Sequence, residues 1–272
     1  MPELVTQVED RFPLTHFERA LEGFQPPTEA FDPRGAWVNT YDVWECSQGE
    51  RKLGVLRVER TPRGSDLARL DVRFRKNAAG GVLHAEMSLE CRTDALATPI
   101  RWQATTAVHD AQDTPIEDTR LTEGGEVGER ALRVRVGGSR ARTPFVPPGT
   151  FDWCLFDAVQ RLPGVEMTPL EFTLLDRLNH QVKPGQRLAC RAAHTIELGG
   201  RRVWREDKQV LERGAVYRPT PVREGAVTTA LYAYDHTGRG TVPTVYWTDQ
   251  RGRLFFVLSG LIGYVLSGEA QA

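Results

Sequence analysis

Apolar and polar residues alternate with a period of two along most of the chain beyond Ala36. In Leu70-Asp71-Val72-Arg73-Phe74-Arg75 the apolar side chains fall on one side and the charges on the other. Leu83, Ala85, Met87, Leu89 and Cys91 alternate with His84, Glu86, Ser88 and Glu90. Trp102, Ala104, Thr106 and Val108 alternate with Arg101, Gln103, Thr105 and His109, and Leu132, Val134 and Val136 with Arg133 and Arg135. Successive strand residues point to opposite faces, so this pattern predicts strands buried on one face only. Such strands belong to antiparallel sheets, because doubly covered parallel strands read as continuous apolar runs. Turn chemistry punctuates the runs at Thr61-Pro62-Arg63-Gly64, Gly199-Gly200, Thr237-Gly238-Arg239-Gly240 and Asp249-Gln250-Arg251-Gly252. The expected fold is all-β, a large curved antiparallel sheet, half-barrel or barrel-like, with roughly a dozen strands.

Two segments break the alternation, and each predicts a short amphipathic helix. Leu14, Phe17, Leu21 and Phe24 form one apolar stripe after a capping box at Thr15-His16-Phe17-Glu18. Gly23 and Pro26-Pro27 end it. Phe151, Leu155, Ala158 and Leu162 form a second stripe, with Thr150 as cap and Pro163 as stop. The expected organisation is an N-terminal helix and Pro-rich connector over 1–35, then one antiparallel β domain over 36–272 with a helix near 150–162.

A chain of 272 residues buries enough surface to fold without disulfides or metals. Cys46, Cys91, Cys154 and Cys190 form no C-x-x-C pair and no zinc-like spacing with histidine. They are expected to be isolated thiols, with no disulfide required for folding and no metal or other cofactor bound. The 35 basic and 36 acidic residues leave a net charge of −1, so no general attraction to nucleic acid follows. Leu254–Gly268 is free of charge but too short for a membrane span, and Ser259-Gly260 splits it into two strands. The N-terminus lacks the basic start and apolar core of a signal peptide. The expected location is periplasmic or secreted for a processed chain, and otherwise cytoplasmic. Oligomeric state is not legible.

No phosphate-loop, dinucleotide, zinc-protease, nucleophile-elbow or calcium-loop motif is present. Asp235-His236 and Asp249 have the composition of an acid/base set, and equally that of turn residues bonding nearby backbone. His16, His84, His109 and His180 fall on exposed-looking faces or helix ends. Arg130, Arg133, Arg135, Arg140 and Arg142 form a basic run that follows the acids Glu117, Asp118, Glu123, Glu126 and Glu129. Adjacent strands pair such charges across a solvated face. The run lacks the interleaved aromatics of a nucleic-acid site.

One candidate ligand site follows from strand register. A two-residue turn at Gly199-Gly200 would pair Leu198 with Arg201 and hence His194 with Arg205, Ala192 with Asp207 and Cys190 with Gln209. His194, Arg205, Asp207 and Gln209 would then share the inward face. Either they satisfy one another's hydrogen bonds, or they line a cavity and hold the polar end of a ligand, with Arg205 on an anion and His194 donating.

The helix Phe151–Leu162, the hairpin around Gly199-Gly200 and the ending Tyr246-Trp247-Thr248-Asp249-Gln250-Arg251-Gly252-Arg253-Leu254 resemble, as an order of elements over the second half of the chain, the bacterial lipoprotein-carrier half-barrels. That resemblance implies a non-catalytic binding or carrier protein holding a lipid or other small molecule within the curved sheet. The alternative is a carbohydrate-binding or lyase-like β-protein using surface aromatics such as Trp44, Trp102 and Trp204.

Overall fold

The computed structural model describes residues 21, 24–46, 51–78, 80–129, 131–145, 147–176, 181–198, 200–211 and 214–271; for 201–223 and 269–271 the description is of the backbone. The alternating runs form strands. In the first half these are β1 (Trp37–Glu45), β2 (Arg51–Pro62), β3 (Leu67–Ala78), β4 (Gly81–Arg92), β5 (Pro99–His109), β6 (Leu121–Val127), β7 (Ala131–Val136), β8 (Ser139–Pro144) and β9 (Gly149–Phe151). The second half carries β10 (Leu170–Asp176), β11 (Gln181–Leu198), β12 (Arg201–Leu211), β13 (Gly214–Glu224), β14 (Val227–Gly238), β15 (Thr244–Asp249), β16 (Leu254–Ser259) and β17 (Ile262–Gln271).

Fifteen strands make one sheet in the order β8-β7-β6-β5-β4-β3-β2-β1-β17-β16-β15-β14-β11-β10-β9. Strands β1 to β8 are a continuous meander, and β1 pairs with β17 to join the two halves. All pairings are antiparallel except that of β9 with β10, which makes the sheet mixed. The fold is all-β and barrel-like, and the sheet is not closed: its edges are β8 and β9, which are neighbours in sequence. The charge-free stretch near the C-terminus is two strands, β16 and β17, reversing at Gly260 with φ of 59°. Among the described residues no helix is long and apolar enough to cross a membrane.

The second expected helix is shorter than its stripe predicts. Gly149–Phe151 is recruited as β9 alongside Thr173–Leu175. Thr150 therefore caps nothing, and its Oγ1 donates to the Leu96 carbonyl at 2.6 Å. Helix α1 spans only Leu155–Ala158, and 3-10 turns follow at Val159–Arg161 and Gly164–Glu166. Phe151, Leu155 and Ala158 are buried as the stripe requires, whereas Leu162 is only partly buried. The first expected helix lies outside the described residues apart from Leu21 and Phe24, both of which are buried.

The α1 segment lies among the aromatic side chains of the sheet and plugs it. Phe156 meets Tyr41 of β1, Tyr246 of β15 and Tyr264 of β17 edge-on at 5.4–6.0 Å. Gln160 Oε1 accepts from Asn39 Nδ2 and the Leu254 amide, each at 3.2 Å. Asp157 is fully buried between Arg60 at 2.9 Å and Arg161 at 2.8 Å. Burial pushes its carboxyl upwards while the two guanidiniums oppose the shift. Gly252 is obligatory in the β15–β16 turn: its φ is 86°, and a Cβ would sit 2.1 Å from the Gln160 carbonyl oxygen.

Arginines also bind the connector at 24–35 to the sheet. Arg253, fully buried, donates to the Pro27 and Glu29 carbonyls at 2.7 Å each and lies over the Phe31 ring. Arg251 reaches the Thr28 and Glu29 carbonyls, and Arg60 those of Arg34 and Gly35. Each guanidinium offers five fixed donors, which suits it to chelating successive carbonyls of an irregular strap.

The expected hairpin at Gly199-Gly200 is a correction. Leu198 pairs with Val227 of β14, not with Arg201, and Arg201 pairs with Glu224 of β13. Strands β11 and β12 thus run on as one arm of a long ribbon and β13 and β14 as the other. At the far end of the ribbon Leu211 pairs with Gly214. Gly200 and Gly225 both have positive φ, 74° and 79°. These two glycines lie where the β11–β14 ladder ends and the β12–β13 ladder begins, not at the tip of the ribbon. The expected turn at 47–50 lies outside the described residues.

Candidate anion-binding groove

Strand register lines up charges across β3 to β8. Arg69 pairs with Glu90, Glu90 with Arg101, Arg101 with Glu126, Glu126 with Arg133 and Arg133 with Arg142. Arg101 Nε donates to Glu90 at 2.6 Å, and Arg133 meets Glu126 at 3.2 Å. This is the cross-strand neutralisation that the acidic and basic runs predict; Arg130 lies outside the described residues. The alternation fails at the sheet edge. Arg133 stands opposite Arg142, and Arg135 opposite Arg140, so four arginines share one face of the β7–β8 hairpin. Like charges directly opposite destabilise a ladder. Among the described residues Arg135, Arg140 and Arg142 have no carboxylate partner within 4.0 Å.

A groove of about 1350 Å³ runs over this face. Seven arginines and three glutamates line it, together with Leu89, Trp102 and Val134. Gly124 on β6, opposite Arg135, leaves its floor low, and Gly125 faces the other way. A Cβ on Gly125 would come within 2.3 Å of the Trp102 ring, so the glycine lets that indole pack beneath the strand. Trp102 is buried edge-on against Phe151 of β9 at 4.8 Å, and its Nε1 lacks a hydrogen-bond partner. The groove therefore offers an excess of exposed guanidiniums, while Leu89, Trp102 and Val134 alternate to the other face of the sheet. Guanidiniums bind phosphate or carboxylate through charge-assisted, bidentate hydrogen bonds.

Comparison with family models and with curated proteins gives no match. Among solved structures, a β-barrel-like protein of the domain of unknown function DUF1849 from Brucella abortus superposes with a TM-score of 0.51. The match covers 88% of this chain and 98% of that one at 8% identity. Identity so low speaks to the fold alone, a β-barrel-like architecture.

The four residues of the register-derived site are not cross-strand neighbours. His194 lies on β11 opposite Leu231 of β14. Arg205, Asp207 and Gln209 lie on β12 opposite Thr220, Arg218 and Val216 of β13. The expected ladder fails because the glycine pair does not reverse the chain.

Asp235 and His236 point to opposite faces. Asp235 takes a bidentate contact from Arg191 at 2.7 and 2.8 Å, while buried His236 meets Gln186. Asp249 is a turn residue, accepting from the Arg251 and Arg253 amides. Trp44 is half-buried against the core and Trp102 is buried, so neither is an open sugar platform. The side chain of Trp204 lies outside the described residues. Sequence alternation does place Arg133 and Arg135 on the polar face. The groove itself was missed because β8 is short, carries little apolar signal and was not recognised as a strand.

Proposed function

We propose that this protein is a non-catalytic binding protein whose ligand is an anionic lipid or other small molecule, held by its phosphate or carboxylate in the groove over β3 to β8. The observation that carries this is the arginine quartet at the β7–β8 edge. A hairpin that sets arginine opposite arginine twice works against its own pairing, and a bound anion removes that cost. The carrier resemblance in the order of elements is consistent with such a role. The sheet's inner face, where that resemblance would put a cargo, is packed by Leu155, Phe156 and Val159, all buried, so the ligand is assigned to the groove.

Calorimetric titration with short-chain phosphatidylglycerol, and with phosphatidylcholine as the uncharged comparison, tests the proposal. Binding of phosphatidylglycerol that weakens as salt is raised, and is lost in the triple variant Arg135→Gln, Arg140→Gln, Arg142→Gln, is the expected result. Equal binding of both lipids, or full retention by the triple variant, would sink it. Inorganic phosphate as a third probe separates recognition of a headgroup from recognition of a free anion.

A further inference from the structure

A second cluster lies outside the groove, where β4 and β5 meet the loop that follows β5. Val82 pairs with His109 and His84 with Ala107, so His84 and His109 are diagonal neighbours on one face. Diagonal residues are within reach of side chains as long as imidazole. The two rings stack with centroids 3.9 Å apart and planes 11° from parallel, so one ring must turn about its Cβ–Cγ bond before both nitrogens face a single ion. Both present a nitrogen to one carboxylate oxygen. His84 Nε2 is 3.0 Å from Asp113 Oδ1, and His109 Nδ1 is 3.3 Å from it. All three donor atoms lie within 4.8 Å of one another.

We propose that His84, His109 and Asp113 form a binding site for one divalent transition-metal ion of the zinc class. Zinc bound by imidazole and carboxylate has ligand distances of about 2.0–2.2 Å, and a tetrahedron of that size has edges of about 3.3 Å. The two nitrogen-to-carboxylate distances are close to such edges. Two neutral imidazoles and one carboxylate are a donor set that zinc, cobalt and nickel accept, with a further position left for water.

The loop holds the carboxylate in place before any ion arrives. Asp110 Oδ1 accepts from the Gln112 and Thr114 amides at 2.9 Å each. The Asp110 amide donates to Thr114 O at 2.9 Å, and the Asp113 amide to Asp110 O at 3.1 Å. Asp113 has φ of 63°, in the left-handed region that Asp tolerates better than most residues. His84 Nε2 is buried and makes no hydrogen bond of acceptable geometry, although the carboxylate is close.

Two neighbours shape the affinity. Arg75 Nη2 lies 3.5 Å from Asp113 Oδ1 on a side chain that is more than half exposed. It competes with a cation for the carboxylate and is free to swing away. His109 Nδ1 also lies 3.0 Å from the Asp113 carbonyl oxygen. The metal-binding tautomer of His109 carries its proton on Nε2, so ion binding gives up that contact.

Cobalt(II) is the probe that tests the site, because its visible bands report coordination number and ligand type. The full chain is titrated with cobalt chloride, and zinc retention is measured after dialysis. The expected result is one equivalent bound, with the strong visible bands of four-coordinate cobalt and no thiolate charge-transfer band. His84→Ala, His109→Ala and Asp113→Asn should each weaken binding at least about tenfold. Asn keeps the left-handed turn, and unchanged far-ultraviolet circular dichroism establishes folding. Arg75→Gln should tighten binding several-fold. Failure of the wild-type chain to retain an equivalent, or equal binding by all three ligand variants, overturns the proposal. A thiolate band would assign the ion to a cysteine and overturn it too.

Discussion

His236 on β14 is 4% exposed, and its Nε2 lies 3.1 Å from Gln186 Oε1. Because that oxygen only accepts, Nε2 carries the proton and donates. Burial lowers the ring's pKa to about 4, against roughly 6.5 in an unfolded chain. The folded protein thus holds the ring neutral, while the unfolded chain takes up a proton below pH 6.5. The stability His236 contributes is complete above that pH and is lost as pH falls towards 4. The loss reaches on the order of 3 kcal/mol. Urea unfolding at pH 7 and pH 4.5 should show this loss in the wild type and a smaller one in His236→Gln. Equal losses in both would place the acid sensitivity elsewhere. Period-two alternation was enough to separate Asp235 from His236, since adjacent strand residues face opposite ways. It could not supply Gln186, which comes from another strand. The same limit hid the His84–His109–Asp113 cluster: alternation put both histidines on polar faces, but only the register of β4 on β5 makes them neighbours.

At the scale of the element, α1 is the case in which the apolar stripe was legible and the polar side was not. Phe151, Leu155, Ala158 and Leu162 make one apolar face in the sequence; the first three are buried together and Leu162 is partly buried. Asp157 looks like a solvated helix residue in sequence. It is instead fully buried, because Arg60 of β2 and Arg161 converge on it. The helix start was misplaced because local capping chemistry at Thr150 competes with pairing of Gly149–Phe151 to β10, and the ladder wins. Removing one partner of a buried ion pair leaves uncompensated charge, so Asp157→Ala should cost about 3–5 kcal/mol. Leu155→Ala should cost about 2–5 kcal/mol for the cavity it opens. Both are read from the shift in urea midpoint. Changes below about 1 kcal/mol in both variants would mean that the plug is peripheral to stability.

Over the whole molecule, the antiparallel meander was legible and the joining of its two halves was not. Turn signals between alternating runs gave the order β1 to β5 and β14 to β17, yet nothing local marks the pairing of β1 with β17. The β11–β14 ribbon shows why. Gly200 has the positive φ that a hairpin tip and a break between two ladders can both use. β13 went unrecognised because Pro219 and Pro221 argue against a strand, but each removes only one donor, and a two-stranded ribbon has free edges on both sides. β12 and β13 pair only with each other, as a separate two-stranded sheet. The 15-stranded sheet therefore owes them no ladder. Leu198 and Val227 already face each other, so deleting 199–226 and joining them through Asn-Gly recreates a two-residue reversal of the preferred type. The shortened chain should fold with a melting temperature within a few degrees of the parent, since 4 °C corresponds to about 1–2 kcal/mol for a domain of this size. It should also keep phosphatidylglycerol binding in the groove, which is built from β3 to β8. An insoluble or molten product would show that the outer ribbon supports the sheet through contacts other than its ladder.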